Sequence, residues 1–402
     1  MSDGPHAWIG ASEAAARLGV SRATLYAYVS RGYLRSQATA GPSRERTYSH
    51  DDIERLRRRT EERRAPDKAA ARALQWGMPI LESSIALIDG ERLYYRGHDA
   101  AVLARSRSLD EVAALIWTGR LDSPTAAVRP GLRVSPGGRE PFLSRAHAML
   151  ASAAARDSLA VDLRPPAVAA TGHRILRLLT AAATGCDTQA EPVEQALARH
   201  WNVGPRGVDL LRAALILCAD HELNVSSFTA RCVASAGSHP YAVVGAGLAA
   251  LEGPRHGGAT ARVESMLESL RPARALDVAV AARLRRGETI DGFGHPLYRD
   301  GDPRARLLLD LMTERYGRSL ETRFVAAFVK AATRATGDLP NIDFGLGALA
   351  RVLRLPSGSP LVLFAIGRSI GWVGHAIEQY ATGQLIRPRA KYVGVPPIGL
   401  HP

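Results

Sequence analysis

This chain reads as all-α, a large helical body behind a small winged helix-turn-helix domain, on three observations. From Ala69 onward, apolar residues in Ala/Leu/Arg-rich stretches recur three and four apart, the period of a helix with one buried face. Alternating β-branched residues are scarce there, so extended strands have little to build on. Residues 1–68, by contrast, hold two short helical segments around a glycine turn, followed by a Gly/Pro-punctuated extended stretch. With 402 residues, 46% of them hydrophobic and 23% charged, the chain has ample material for two or three folded domains and none of the composition of a disordered or fibrous protein.

Taken in order, Ser12 is expected to cap a helix ending at Leu18, Gly19 to make the turn, and Ser21 to cap a second helix that ends near Ser30 and Gly32. Ala15, Leu18, Val20, Leu25 and Val29 would join the two helices, leaving Arg22, Thr24 and Tyr26 near the start of the second, where base edges are usually read. Extended residues at Leu34–Ser36 and Thr47–Tyr48 flank a Gly41-Pro42-Ser43 turn beside Arg44 and Arg46, the pattern of a wing. Ser49 with Asp52 opens another helix carrying Ile53 and Leu56, which runs into the charge cluster Arg57–Arg64, and Pro66 marks a linker. This segment, taken as a domain over 1–64, resembles the winged helix-turn-helix of the MerR and excisionase families. The resemblance implies DNA as a partner, with the second helix in the major groove and wing arginines on phosphates. The alternative is a helical module kept for packing or dimerisation.

Charge alone does not decide between these. The formal net charge is +13, but 49 of the 52 basic residues are arginine, with lysine only at Lys68, Lys330 and Lys391. Residues 1–68 carry 13 basic and 9 acidic side chains, net +4, which leaves +9 over the other 334. The front is richer in positive charge, though modestly.

In the body, Asp110–Thr118, Ala190–Trp201, Asp209–Ala219 and Ala305–Glu314 keep helical spacing, while only Ser84–Tyr95 reads as a hairpin, with Asp89-Gly90 at its turn. The Pro- and Arg-rich stretch 129–165 is expected to be irregular. Cys186, Cys218 and Cys232 stand far apart without a CxxC pair, which speaks against a disulfide framework or zinc ribbon. The longest unbroken apolar run, Tyr241–Leu251, is too short to span a bilayer, and the N-terminus lacks the pattern of a secretion signal, so a cytoplasmic protein is expected.

Four islands of unusual composition interrupt the helices: HELNVSSFTAR at 221–231, GPRHGG at 253–258, DGFGHPLYRDGDPRA at 291–305 and NIDFGLG at 341–347. Each sets a titratable side chain among small residues, and glycines around His256 and His295 permit close approach of a ligand. Any one of these histidines could equally be a buried core residue satisfied by backbone partners. No HExxH or closely spaced carboxylate pattern points to a metal, so acid/base chemistry without metal or cofactor is expected. Arg304, Arg368 and Arg387 supply fixed positive charge suited to a substrate with more than one carboxylate.

These islands, with IDGERLYYRGHDAAVLA and EVAALIWTGRLDS before them and GRSIGWVGHAIEQ and LIRPRAKYVG after, resemble the citrate synthase family from about Ile85 to Gly394. The resemblance implies an all-α fold with a large domain over 75–258 and 346–402, a small domain over 259–345 that closes on substrate, and a homodimer or larger even assembly. It implies condensation of acetyl-CoA with oxaloacetate. Asp343 would be the base on the acetyl methyl, His256 the stabiliser of the enol oxygen, and His295 the acid to the ketone. Oxaloacetate would be held by His221, Arg304, Arg368 and Arg387, the last reaching in from the partner subunit. Arg299 and Lys391 fall where the family contacts CoA, although both could equally be solvated surface charges.

Some positions depart from the family pattern: HRVYK becomes HPLYR after His295, GPLHGGAN becomes GPRHGGAT around His256, and STxSD becomes SAGSHP at 235–240. None removes a catalytic side chain, but they leave acetyl-CoA against propionyl-CoA open, a choice of about 1–3 kcal/mol. A 2-methylcitrate synthase, a citryl-CoA-cleaving enzyme, and a DNA-binding regulator whose body senses metabolites are the competing readings. Retention of the whole catalytic trio favours turnover.

Overall fold

The structure is a computed structural model that describes residues 8–38, 46–54, 56–57, 81–121, 140–186, 191–271 and 275–395. The chain divides into two compact units, Met1–Glu82 and Ser83–Pro402.

The first unit is a winged helix-turn-helix. Strand β1 (Trp8–Gly10) leads into α1 (Ala11–Leu18), then α2 (Arg22–Ser30), β2 (Ser36–Ala38) and β3 (Arg46–Ser49), and residues 50–54 and 56–57 are helical. β3 is the central strand, antiparallel to both neighbours, with Ile9 opposite Tyr48 and Gln37 opposite Thr47. Ile9, Ala14, Leu18, Leu25, Leu34, Tyr48 and Ile53 close the core, and Val20 and Val29 pack against it. Ser21 caps α2 by accepting from Thr24 N at 3.2 Å, and Gly19 turns the chain at φ 62°. One expectation needs correction. Ser12 does not cap α1: the chain enters it from β1, so Gly10 is the N-cap, and the Ser12 hydroxyl accepts from Arg22 instead. The Ser49 hydroxyl does accept from Asp52 N at 3.4 Å, while the Asp52 carboxylate takes the backbone N and guanidinium of Arg35, each at 2.9 Å. The Gly41-Pro42-Ser43 turn, Arg44 and Pro66 lie outside the described residues.

The second unit opens with a small antiparallel sheet, β4 (Ala86–Asp89), β5 (Arg92–Tyr95) and β6 (His98–Asp99), where the hairpin is expected. Helices follow: α3 (Ala100–Ser106), α4 (Leu109–Thr118), α5 (Phe142–Arg156), α6 (Pro165–Thr184), α7 (Val193–His200), α8 (Pro205–Leu217), α9 (Val225–Ser235) and α10 (Pro240–Leu251). Then come α11 (Gly258–Leu270), α12 (Leu276–Arg285), α13 (Pro303–Tyr316), α14 (Leu320–Thr336), α15 (Ile342–Leu353) and α16 (Ser359–Thr382). Helix α5 corrects the expectation of irregular chain over 129–165. Its Ala146, Met149, Leu150 and Ala153 form a buried stripe against α6 and α10, and the Pro/Gly bias of the preceding residues does not extend into it.

Helix α16 is the axis of this unit and packs against α6, α8, α9 and α10. It is long and apolar enough by composition to cross a membrane, but 94% of its apolar window is buried inside the fold, and Trp372 at its middle is fully buried. Its apolar run is interrupted by Arg368 and Ser369, which is why the count of unbroken apolar residues passes it over.

Candidate active site

Three loop-to-helix junctions and one helix converge. His221 follows α8 on the loop 218–221; His256 sits in the turn before α11, where its N donates to Gly253 O at 3.0 Å; His295 precedes α13; and Asp343 lies in the first turn of α15. The loop at 292–295 and the start of α15 are tied together: Asn341 N donates to Gly292 O at 2.8 Å, Asn341 Nδ2 to Gly294 O at 3.0 Å, and Gly294 N to Leu339 O at 2.8 Å. Gly292 is required there, since at φ 81° a Cβ would stand 2.8 Å from Phe344 Cβ. His295 and Asp343 are thereby held to one frame.

Aromatic side chains space the polar groups. The His221 ring lies 5.1 Å from that of His295, and Tyr298 is 4.9 Å from His295, centroid to centroid. The Tyr298 hydroxyl is 3.0 Å from His221 Nε2, and Arg304 lies over the Tyr298 ring at 5.8 Å. Phe364 stands between His256, at 5.6 Å, and Arg368, at 4.8 Å. Ser226 Oγ sits 2.9 Å from His256 Nε2 and 2.8 Å from Asn224 Oδ1, which itself caps α9.

The electrostatics separate acids from bases. Burial lifts the Asp343 carboxyl to about 6 against the pull of Arg304. Burial lowers His256 to about 4, helped by Arg368, and lowers His295 to about 4, helped by Arg304. His221 is likewise held well below its ordinary value by burial, Arg304, Arg368 and His295. At neutral pH the site thus presents the ionised Asp343 carboxylate and three neutral imidazoles beside two buried guanidiniums.

Those guanidiniums differ. Burial works against the charge of Arg304, but a bidentate pair with Asp302 at 2.9 and 2.7 Å overrides it and raises its pKa, and Asp302 also accepts from Ile342 N at 3.0 Å. Arg304 is therefore partly committed to a carboxylate of its own chain. Arg368, 1% exposed, donates its Nε to Cys218 O at 2.7 Å, while its Nη1 is buried with no hydrogen-bond partner among the described residues. An unmade hydrogen bond on a buried cation is costly, so this donor is suited to an incoming anion.

The structure does not bring every expected residue here. Arg387 and Lys391 lie exposed on the extended chain after α16, and Arg299 is exposed on the loop before α13. The Arg387 segment leaves from an anchored start, with Gln379 Nε2 donating to Gln384 O at 2.9 Å and Ile386 N to Ser235 Oγ at 3.1 Å. In the first unit Tyr26 is exposed, Arg22 is turned to Ser12, Thr24 bonds Ser21 at 3.0 Å, and Arg46 donates to Ser36 Oγ at 3.0 Å. Ser226, Tyr298, Asp302, Asn341 and Phe364 support the site without having been singled out by sequence; the Asp-Pro step at 302–303, a common helix start, is the one local signal among them. A separate cleft of about 700 Å³ between α11, α14 and α15, lined by Glu264, Arg271, Glu321 and Arg351, contains none of the site residues.

Residues 73–389 match the family described as "Citrate synthase, C-terminal domain", and residues 8–60 match "Helix-turn-helix domain". The chain is 30% identical to "Citrate synthase 2" of Bacillus subtilis, over 81% of this chain and 96% of that protein. It is 29% identical to "2-methylcitrate synthase" of Shewanella oneidensis, over 77% and 91%. The crystal structure of citrate synthase from Thermotoga maritima superposes with a TM-score of 0.66 at 26% identity, covering 81% of this chain and 96% of that one.

Proposed function

This chain belongs to the citrate synthase family of acyl-transferring, condensing enzymes, and from that premise we propose that it joins acetyl-CoA to oxaloacetate and hydrolyses the product thioester to citrate and CoA. The observation that carries the reading is the opposition of one carboxyl lifted to about 6 and imidazoles lowered to about 4 around buried arginines, which supports Asp343 as a base and the imidazoles as neutral donors at the same pH. The Asp343 carboxylate takes a proton from the acetyl methyl group, and the C–H electron pair moves toward the thioester oxygen, where His256 donates a hydrogen bond. The resulting enol carbon attacks the ketone carbon of oxaloacetate, and the ketone oxygen takes its proton from His295. Water then cleaves the thioester, and CoA leaves as the thiol.

Arg368, with its unpartnered Nη1, receives one oxaloacetate carboxylate, supported by His221 and by the remaining donors of Arg304. Arg387, exposed on the extended chain after α16, completes the site of a second copy in a homodimer. Residues 259–345 act as the small domain that closes on substrate, and exposed Arg299 and Lys391 meet the CoA phosphates. The N-terminal module binds DNA through Arg22, Thr24 and Tyr26 on α2 and through Arg44 and Arg46 of the wing. The whole acts in the cytoplasm without a metal.

Thiol release from acetyl-CoA in the presence of oxaloacetate tests the reading, with propionyl-CoA run beside it because a 2-methylcitrate synthase matches 77% of the chain at 29% identity, against 79% at 30% for a citrate synthase. Release that depends on oxaloacetate is expected; none with either thioester would replace the enzyme by a metabolite-sensing regulator.

A further inference from the structure

The loop 218–221 holds two of the substrate groups, His221 directly and Arg368 through the Cys218 carbonyl, and it has no secondary structure to keep it in place. Three buried side-chain and backbone contacts do so instead. From β5, the Tyr95 hydroxyl lies 3.0, 3.2 and 3.3 Å from the carbonyls of Ile216, Leu217 and Asp220 and accepts from Asp220 N at 3.4 Å. From α16, His375 Nε2 meets Asp220 Oδ1 at 3.1 Å, and neither side chain is exposed. One turn earlier on the same helix, Gly371 N donates to Ala219 O at 2.9 Å; a Cβ on Gly371 would stand 2.4 Å from that oxygen and 2.5 Å from Asp220 Oδ1. Arg368 lies three residues before Gly371, so α16 presents the guanidinium and grips the loop with consecutive turns of one face.

We propose that Tyr95, Asp220 and His375 form a positioning device that sets His221 and Arg368 as a single unit for the dicarboxylate substrate. Touching no substrate atom themselves, the three fix the distance between two groups that hold the substrate. The Asp220 carboxylate also supplies a negative charge behind Arg368, offsetting part of the burial that disfavours its charge. Buried hydrogen bonds restrain the groups they join, so a loop held by Tyr95, His375 and Gly371 keeps its geometry before substrate arrives, even with Asp220 Oδ2 and His375 Nδ1 buried without a hydrogen-bond partner among the described residues. The proposal rests on the reading of the pocket as an oxaloacetate site.

The test compares Tyr95→Phe, His375→Ala and His375→Gln with the wild-type full-length chain, the glutamine keeping a donor for Asp220. Steady-state kinetics should show the KM for oxaloacetate rising roughly 10- to 100-fold in His375→Ala, the effect of losing a hydrogen bond to a charged group. The KM for acetyl-CoA should stay within about threefold, and glutamine should restore most of the loss. Amide hydrogen exchange should accelerate in residues 216–221 of His375→Ala and Tyr95→Phe while the rest of α16 keeps its protection. Equal rises in both KM values alongside a lowered Tm would mark a merely structural role and overturn the proposal, as would an unchanged oxaloacetate KM. If the wild type condenses no thioester, the oxaloacetate reading fails on its own, and exchange over 216–221 still decides the clamp: unchanged exchange in both variants refutes it. Should the alanine variant not fold, the Tyr95→Phe and His375→Gln arms carry the same comparison.

Discussion

Asp343 illustrates how one residue can serve chemistry at the expense of the fold. Its carboxyl is lifted to about 6 by burial, so the folded state holds the proton more tightly than the unfolded chain does between the ordinary carboxylate value and pH 6. Stability from this group is therefore greatest at low pH and is lost as pH rises through 6, where the buried carboxylate is charged. Asp343→Asn should lower turnover by roughly 100- to 10,000-fold, the usual contribution of a positioned base. The same variant should be more stable than wild type above pH 7, by roughly 1–3 kcal/mol, with the difference vanishing near pH 4 in urea titrations. The histidines run the other way. With His256 and His295 lowered to about 4, their contribution to stability is present above the unfolded value and is lost as pH falls through 4. For the wild type, kcat should decline below about pH 6 as Asp343 takes up its proton, and a profile flat from pH 5 to 8 would remove Asp343 as the base.

At the scale of elements, helix starts do double duty as site supports. Asn341 caps α15 by accepting from Asp343 N at 3.0 Å and Phe344 N at 3.4 Å, and its amide reaches Gly294 O; Ser108 caps α4 in a capping box with Glu111, far from the catalytic groups in sequence and contacts. Replacing either with alanine should cost about 1 kcal/mol of stability. Only Asn341→Ala should also depress kcat, by tenfold or more, because it frees both Asp343 and the His295 loop; equal losses of activity in the two variants would refute the distinction. This contrast also explains what could be read in the sequence. Helices with clean periodicity, such as Asp110–Thr118 and Ala305–Glu314, were legible within a few residues, and so were the four islands, since each sets a titratable side chain among small residues. The three-residue strand β1 carries too few residues for a pattern, and α5 was hidden behind a proline-rich approach. The roles of Tyr298 and Phe364 could not be found by local composition, because they meet His221 and His256 from distant parts of the chain. Arg304 was legible as a fixed positive charge, but its burial and its bidentate pairing with Asp302 depend on how the 302–304 turn folds back on itself.

Two features matter only for the whole molecule. Arg387 is exposed on the extended chain after α16, and in the proposed homodimer its guanidinium enters the site of a second copy. Mixing Arg387→Ala chains with His256→Ala chains, each inactive, should restore activity after subunit exchange, because one site of each mixed dimer holds both native residues; no recovery despite proven exchange would assign Arg387 to its own chain. The N-terminal unit has its own core and its own sheet, so deletion of residues 1–64 should leave condensation intact, every proposed active-site residue lying beyond position 220. If that unit binds DNA, it does so with Tyr26 exposed on α2 and with Arg22 and Arg46 at its surface but engaged with Ser12 and Ser36. Those serine contacts are exchangeable for phosphate or base contacts at little cost, since a hydrogen bond to a neutral hydroxyl is weaker than one to an anion. Affinity should then fall steeply with salt, the slope dropping by about one when Arg46→Ala removes a phosphate contact. Tyr26→Ala or Arg22→Ala should instead flatten the preference between sequences while leaving most of the salt slope. Gel shifts on genomic fragments at low salt check this directly: no retardation at micromolar protein would make the module a packing or dimerisation element, and binding that ignores salt would exclude the phosphate-led mode.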